Sequence, residues 1–392
     1  MQSNSRRNFF KRYGNFGILA LAAGFIPLSI PKTKGKKILA LSNEEQAISL
    51  FGIAQSSMTK DQRQAFNNLA IPSKINIWDT VGNFQEILLA FNPHEITQSP
   101  THPRLAFASQ RWGEYAAEID LVSKTVTRTL KAGDKNRFYG HSLYSSDGRF
   151  LFLSMMDDQE GNGYANVYDA VTLQLIKRIP SGGMNPHALI WEKKGPNILI
   201  ANSGAAKNDV KAYSNVSWLN SVTGTLDGSV RISEKTQSVA HLQVDNMGYV
   251  VYSGSPANSS QPDQSIVVGG IDPKKNKINF VYPKKFGGQF FGEALSILLV
   301  ENLGYAFVTL PDAGYVVLFH YPTGQFIKEF AISQPKGIGI STKENLILVS
   351  GSNGKEITAI NLDKLKTETK INYAHLGGNG SHYVLLKNLK FT

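Results

Sequence analysis

The chain contains no cysteine. Disulfides, thiolate nucleophiles and cysteine-ligated metal centres are therefore excluded. Charge is sparse, at 18 % of residues, and unevenly placed. Of the formal net charge of +11, eight units sit in residues 1–37 (Arg6, Arg7, Lys11, Arg12, Lys32, Lys34, Lys36 and Lys37, with no acid), which leaves +3 for the remainder. So balanced a body offers no electrostatic footprint for nucleic acid, and none is expected as a partner. There is no phosphate loop, no dinucleotide fingerprint, no Gly-x-Ser-x-Gly elbow and no His-Glu-x-x-His motif. Ser203-Gly204 and Ser253-Gly254 are accordingly read as turns.

The apolar run from Phe16 to Ile30 is interrupted by Gly17, Gly24 and Pro27. It is too short to span a bilayer comfortably. It follows Ser5-Arg6-Arg7-Asn8-Phe9-Phe10-Lys11, the form of a twin-arginine export leader. Residues 1–40 are thus expected to be a signal peptide, with Ile38-Leu39-Ala40 the nearest cleavage candidate. The expected location is the periplasm, with membrane contact only through an uncleaved leader. Residues 41–70 are expected to form a helical extension. Ser42 or Asn43 can cap it, and Ala47, Leu50, Phe51 and Ala54 recur at helical spacing.

Glycine, by contrast, is plentiful, with 35 residues. From position 71 the chain reads as short strands between tight turns. Gly140-His141 opens a strand, Asp147-Gly148 turns it, and Val167-Tyr168-Asp169 closes a third strand. Asn92-Pro93-His94 recurs as Asn185-Pro186-His187, and His241 precedes Gly248 as His141 precedes Gly148. Ser381-His382 opens a last unit. Two units lack the histidine, around Ser296 and Gly337. Seven openings at this period predict an all-β, seven-bladed propeller over 71–392, closed by strands from both ends of the chain.

Arg137-Phe138-Tyr139-Gly140-His141, Ser146-Asp147-Gly148-Arg149, Val167-Tyr168-Asp169-Ala170, Pro186-His187, Ala201-Asn202-Ser203-Gly204 and Ala240-His241-Leu242 together resemble the domain of unknown function 1513 family, over roughly residues 90 to 392. The resemblance implies a twin-arginine-exported propeller without an assigned activity. It also implies a link to periplasmic iron uptake, because such genes tend to lie near those for imelysin-like proteins. The chain departs from the family pattern at Gln110-Arg111-Trp112-Gly113, where relatives carry Arg-Arg-Pro-Gly.

Five of the seven openings carry histidine: His94, His141, His187, His241 and His382. Equivalent positions in a propeller form a ring at the channel mouth. Two readings follow. In the first, each imidazole braces its own blade, as His141 would by bonding Asp169 or a backbone carbonyl. In the second, at least three rings turn to the axis and hold a transition metal or an anion. The brace is the commoner arrangement in such repeats. Arg111 and Trp112 are expected on the same face. Asp157, Asp158 and Glu160 are read as a solvated turn rather than a cation site, and Trp218 as core. His102, His320 and His375 fall outside the register. The expected function is a non-enzymatic scaffold for a ligand, metal or periplasmic protein partner, connected with metal uptake. The alternative is a metalloenzyme built on the histidine ring.

Overall fold

The computed structural model describes residues 47–52, 73–78, 84–204, 213–232, 237–256, 266–275, 278–281, 291–341, 345–352, 356–372 and 383–386. The expected leader, residues 1–40, and His375 and His382 lie outside the described residues. No helix among those described is long and apolar enough to cross a membrane.

In chain order, the first three strands are β1 (Ala47–Gly52), β2 (Ser73–Trp78) and β3 (Phe84–Leu89). The first full blade contains β4 (Pro93–Gln98), β5 (Leu105–Gly113), β6 (Tyr115–Asp120) and β7 (Thr125–Lys131). The second contains β8 (Asn136–Tyr144), β9 (Phe150–Asp157), β10 (Asn162–Asp169) and β11 (Leu175–Met184). The third contains β12 (Pro186–Trp191), β13 (Asn197–Asn202), β14 (Asn215–Asn220) and β15 (Leu226–Arg231). The fourth contains β16 (Gln237–Val244), β17 (Val250–Pro256), β18 (Val267–Ile271) and β19 (Ile278–Asn279). The fifth contains β20 (Ile297–Val300), β21 (Tyr305–Leu310), β22 (Tyr315–His320) and β23 (Gln325–Ala331). The sixth contains β24 (Ile338–Ser341), β25 (Leu346–Gly351), β26 (Glu356–Asn361) and β27 (Lys366–Asn372). The last strand, β28 (Tyr383–Leu386), pairs with β1 and completes the seventh sheet in the order β28-β1-β2-β3.

The innermost strands neighbour one another in sequence, β4 beside β8, then β12, β16, β20, β24 and β28, and β28 returns to β4. This is a closed seven-bladed β-propeller. Closure covers the faces of the end blades, which an open array would expose, and leaves only short outer edges. Strand pairing across the two chain ends is as expected, with one correction. Residues 47–52 are a strand, not part of a helix over 41–70. The spacing of Ala47, Leu50 and Phe51 is helical, but six residues carry too short a pattern to outweigh strand pairing. Partners on both flanks, β28 and β2, supply the backbone hydrogen bonds that decide it.

The core lies between blades. Ile75, Ile77, Ile87 and Leu89 of the seventh sheet pack on Ile96, Ala106, Ala108 and Ile119 of the first. Phe107 and Ala116 meet Phe138, Leu151 and Leu153 in the same way. Central strands are buried on both faces, as in Ala306–Leu310, whereas outer strands such as β7 alternate toward solvent. Each fully buried Ile, Leu or Phe contributes about 1.5–3 kcal/mol. Trp218 packs, partly buried, on the core between the third and fourth blades.

The ends of the third strands are held by side-chain turns. Asp169 Oδ1 accepts the backbone N–H groups of Val171 and Thr172. Asp120 does the same for Val122 and Ser123, and Asn220 for Val222 and Thr223. The acidic loop of the second blade is similarly occupied. Asp157 caps Gln159 and Glu160, while Asp158 pairs with Arg137. Ser253 stands inside β17 and donates to Leu295 O, so it is a strand residue rather than a turn.

Candidate functional site

The innermost ladders of the blades share one backbone feature. The pairing of β4 with β5 skips His94, which lies between the pairs Pro93–Gln110 and Glu95–Ser109. The ladder from β8 to β9 breaks between Phe138 and Ser142, across His141. That from β12 to β13 breaks between Pro186 and Leu189, across His187, and that from β16 to β17 breaks between Val239 and His241. The fifth and sixth blades double the ladder at the same place, Leu295 and Ser296 opposite Thr309 and Lys336 and Gly337 opposite Ser350, but carry no histidine there. A bulge bends the strand and re-aims the side chain beside it. Here it coincides with every described histidine of the ring.

Gly140 makes the bulge in the second blade possible. Its φ is +111°, and an added Cβ would stand 2.4 Å from His94 Cδ2. The glycine therefore supplies both a backbone conformation closed to other residues and the room for the neighbouring imidazole. Ser154 Oγ takes over the lost ladder contacts, accepting from His141 N and donating to His141 O.

The four imidazoles gather at the axis. Ring centroids are 4.4 Å apart for His141 and His187, 4.9 Å for His94 and His187, and 5.1 Å for His94 and His141. His241 stands 5.0 Å from His187 and 5.5 Å from His141. They come from four different blades and meet one another, as the axial reading requires. Asp169 serves its own turn, and His141 Nδ1 meets Glu95 of the adjoining blade. His382 is the one member of the predicted ring outside the described residues.

Tautomers follow from the partners. His187 Nδ1 is 3.1 Å from Tyr139 O, a carbonyl that can only accept, so Nδ1 carries the proton and Nε2 a lone pair. His141 Nδ1 is 2.8 Å from Glu95 Oε2 on the adjoining blade. That carboxylate likewise fixes the proton at Nδ1 and leaves Nε2 for another role. His187 Nε2 then lies 3.2 Å from His94 Nε2 and 3.3 Å from His141 Nε2. With Nδ1 protonated on both rings, the Nε2 lone pairs of His141 and His187 face each other across 3.3 Å, and no hydrogen bond can join them. A cation shared among the nitrogens resolves the conflict. A tetrahedral ion with metal–nitrogen bonds of about 2.0–2.1 Å separates its ligand atoms by about 3.3–3.4 Å. The two measured edges are close to that, and all three ligand atoms lie within 4.8 Å of one another.

The electrostatics favour neutral, lone-pair-bearing rings. Burial, then the charge of Arg111, then the neighbouring imidazoles hold the pKa of His187 well below the ordinary histidine value. Burial, His141 and Arg111 do the same for His241. Arg111 ends β5, in register opposite Tyr139, and stacks 4.4 Å from the ring centroid of Trp112. Both residues thus belong to this face, as their position in sequence predicts. Glu293, half-buried in the approach to β20, also feels the Arg111 charge. Burial raises its pKa, and Asp312 adds to the rise. The sequence gives no signal for Glu95, the Tyr139 carbonyl or Glu293, since each acts through a contact between blades.

The molecule is therefore a closed propeller with an axial histidine cluster. Residues 88–376 match the model of the DUF1513 family, described as a protein of unknown function, and the chain belongs to that family. No curated protein matches. Among solved structures, hydrazine synthase of Kuenenia stuttgartiensis is similar in fold at 12 % identity and a TM-score of 0.54, over 82 % of this chain and 98 % of that one. U3-55K is similar at 12 % identity and a TM-score of 0.51, over 71 % and 80 %. Likeness at this identity concerns the fold alone.

Proposed function

We propose that this protein is an exported metal-binding propeller in which His94, His141 and His187 hold one first-row transition metal at the axis, with His241 as a fourth imidazole beside it. The convergence of three Nε2 atoms, with the lone pairs of His141 and His187 facing each other, carries the reading. Imidazole donors with no sulfur suit zinc, copper, iron or nickel. Glu95 behind His141 and the Tyr139 carbonyl behind His187 are the outer-shell partners that metal-bound histidines ordinarily have. The twin-arginine leader supports periplasmic residence, and export in folded form suits a protein loaded with metal before it crosses. A role in metal uptake, alone or with a periplasmic protein partner, accords with the family resemblance.

Three protein ligands and an open side are also the composition of a catalytic metal site. A metalloenzyme is the second reading, favoured by Arg111, which lies in register opposite Tyr139 behind His187. Metal analysis of protein recovered from the periplasm tests the common ground. Stoichiometric metal, lost in His141→Ala and His187→Ala, is expected. Folded protein that is metal-free and takes up none of the four metals would overturn both readings.

A further inference from the structure

We infer that Arg111 holds a small oxyanion against the metal, completing the coordination that the three histidines leave open. The inference rests on the metal reading above. Its starting point is a buried donor. Arg111 Nε is shielded from solvent and has no acceptor within hydrogen-bond reach among the described residues. Nor does any described carboxylate pair with its guanidinium, although Arg104, Arg128 and Arg137 each have such a partner. A buried guanidinium N–H without an acceptor is costly, and its persistence calls for a ligand.

The position says which ligand. Arg111 lies opposite Tyr139, the residue whose carbonyl fixes His187. The next residue, Trp112, is forced into a left-handed backbone with φ +56° at a register shift, and its ring is exposed. Trp112 stacks on the guanidinium carbon and so sets its plane. Strain of this kind persists where the surroundings over-determine a functional geometry. The Trp112 ring that stacks on Arg111 meets the Tyr139 ring at 5.9 Å, and the Tyr139 ring meets His187 at 5.7 Å, so the guanidinium is joined to the cluster through two aromatic contacts.

A dication on neutral imidazoles, beside a fixed guanidinium, places like charges together. An anion between them relieves the repulsion. A guanidinium fork matches two oxygens held in one plane, and a metal takes a third or shares one of them. Carbonate, a carboxylate and phosphate all have this chemistry; a halide does not.

The test uses the full chain loaded with cobalt(II), whose visible spectrum reports its ligands. Wild-type protein is titrated with bicarbonate and, separately, with inorganic phosphate, against sodium chloride at matched ionic strength. A saturable spectral change with at least one oxyanion, absent with chloride, is expected. Arg111→Gln should take up cobalt as the wild type does, yet need about tenfold more oxyanion for half-saturation. Arg111→Lys should fall between them and covers the case in which the glutamine variant fails to fold. A wild-type spectrum indifferent to both oxyanions, or an identical response in the variants, would overturn the anion site while leaving the metal site standing. Failure of the wild type to bind cobalt would overturn the metal reading and this inference together.

Discussion

Glu95 on the first blade places its carboxylate 2.8 Å from Nδ1 of His141 on the second. The contact joins two inner strands and decides which nitrogen of His141 faces the cluster. Glu95→Ala removes the partner that orients the ring. Metal affinity should fall by about 10–100-fold, with the fold retained. Glu95→Gln, which still offers an amide oxygen to Nδ1–H, should lose less. Competition with a chelator of known affinity measures both.

His187 and His94 should separate stability from binding. His187 is wholly buried and donates to Tyr139 O, whereas His94 is half-buried. His187→Ala should destabilise the metal-free protein by about 2–4 kcal/mol, through a cavity and a stranded carbonyl. His94→Ala should abolish stoichiometric metal with a loss of stability nearer the ordinary surface range. Urea denaturation in the presence of chelator gives the first quantity, and metal analysis the second.

Acidification should weaken the metal-free fold below about pH 6.5. Burial keeps His187 and His241 neutral in the native state. The unfolded chain binds their protons at ordinary histidine pKa values. Stability is therefore full above that pH and declines as pH falls towards the lowered native values. Denaturation midpoints at pH 7.5 and 5.5 should differ, with about two protons taken up on unfolding at the lower pH. Replacing both residues by glutamine should flatten this window.

Gly140→Ala tests the bulge. The new methyl would meet the His94 ring at 2.4 Å, in a backbone conformation that alanine rarely adopts. A loss of at least about 1–3 kcal/mol is expected, together with loss of metal. Gly133→Ala also has a positive φ, but its Cβ would meet nothing within 4 Å. It is the control for backbone strain alone, and should bind metal as the wild type does.

The blade count and the gathering of histidines were legible because both rest on local signals. Asn-Pro-His and Gly-His mark strand starts, and a ring geometry converts equal register into spatial proximity. Three other features were not legible. The pairing of Ala47–Gly52 with β28 joins segments almost the whole chain apart, and a run of six residues carries too little pattern to reveal it. The register shifts live in backbone hydrogen bonds, which no side chain announces. The direction of the imidazoles depended on Asp169, which looked like a histidine partner but is consumed by the N–H groups of Val171 and Thr172.

The four described imidazoles are dealt out one per repeat, each at a break in its own inner ladder. No donor shares a sheet with another, so the set can be edited a repeat at a time. Straightening one ladder would retract a single ring and leave its neighbours in register. A histidine at Ser296 or Gly337, where the fifth and sixth repeats already double the inner ladder, would add one. In an architecture that arises by duplication, coordination number is thereby a quantity that can change in single steps.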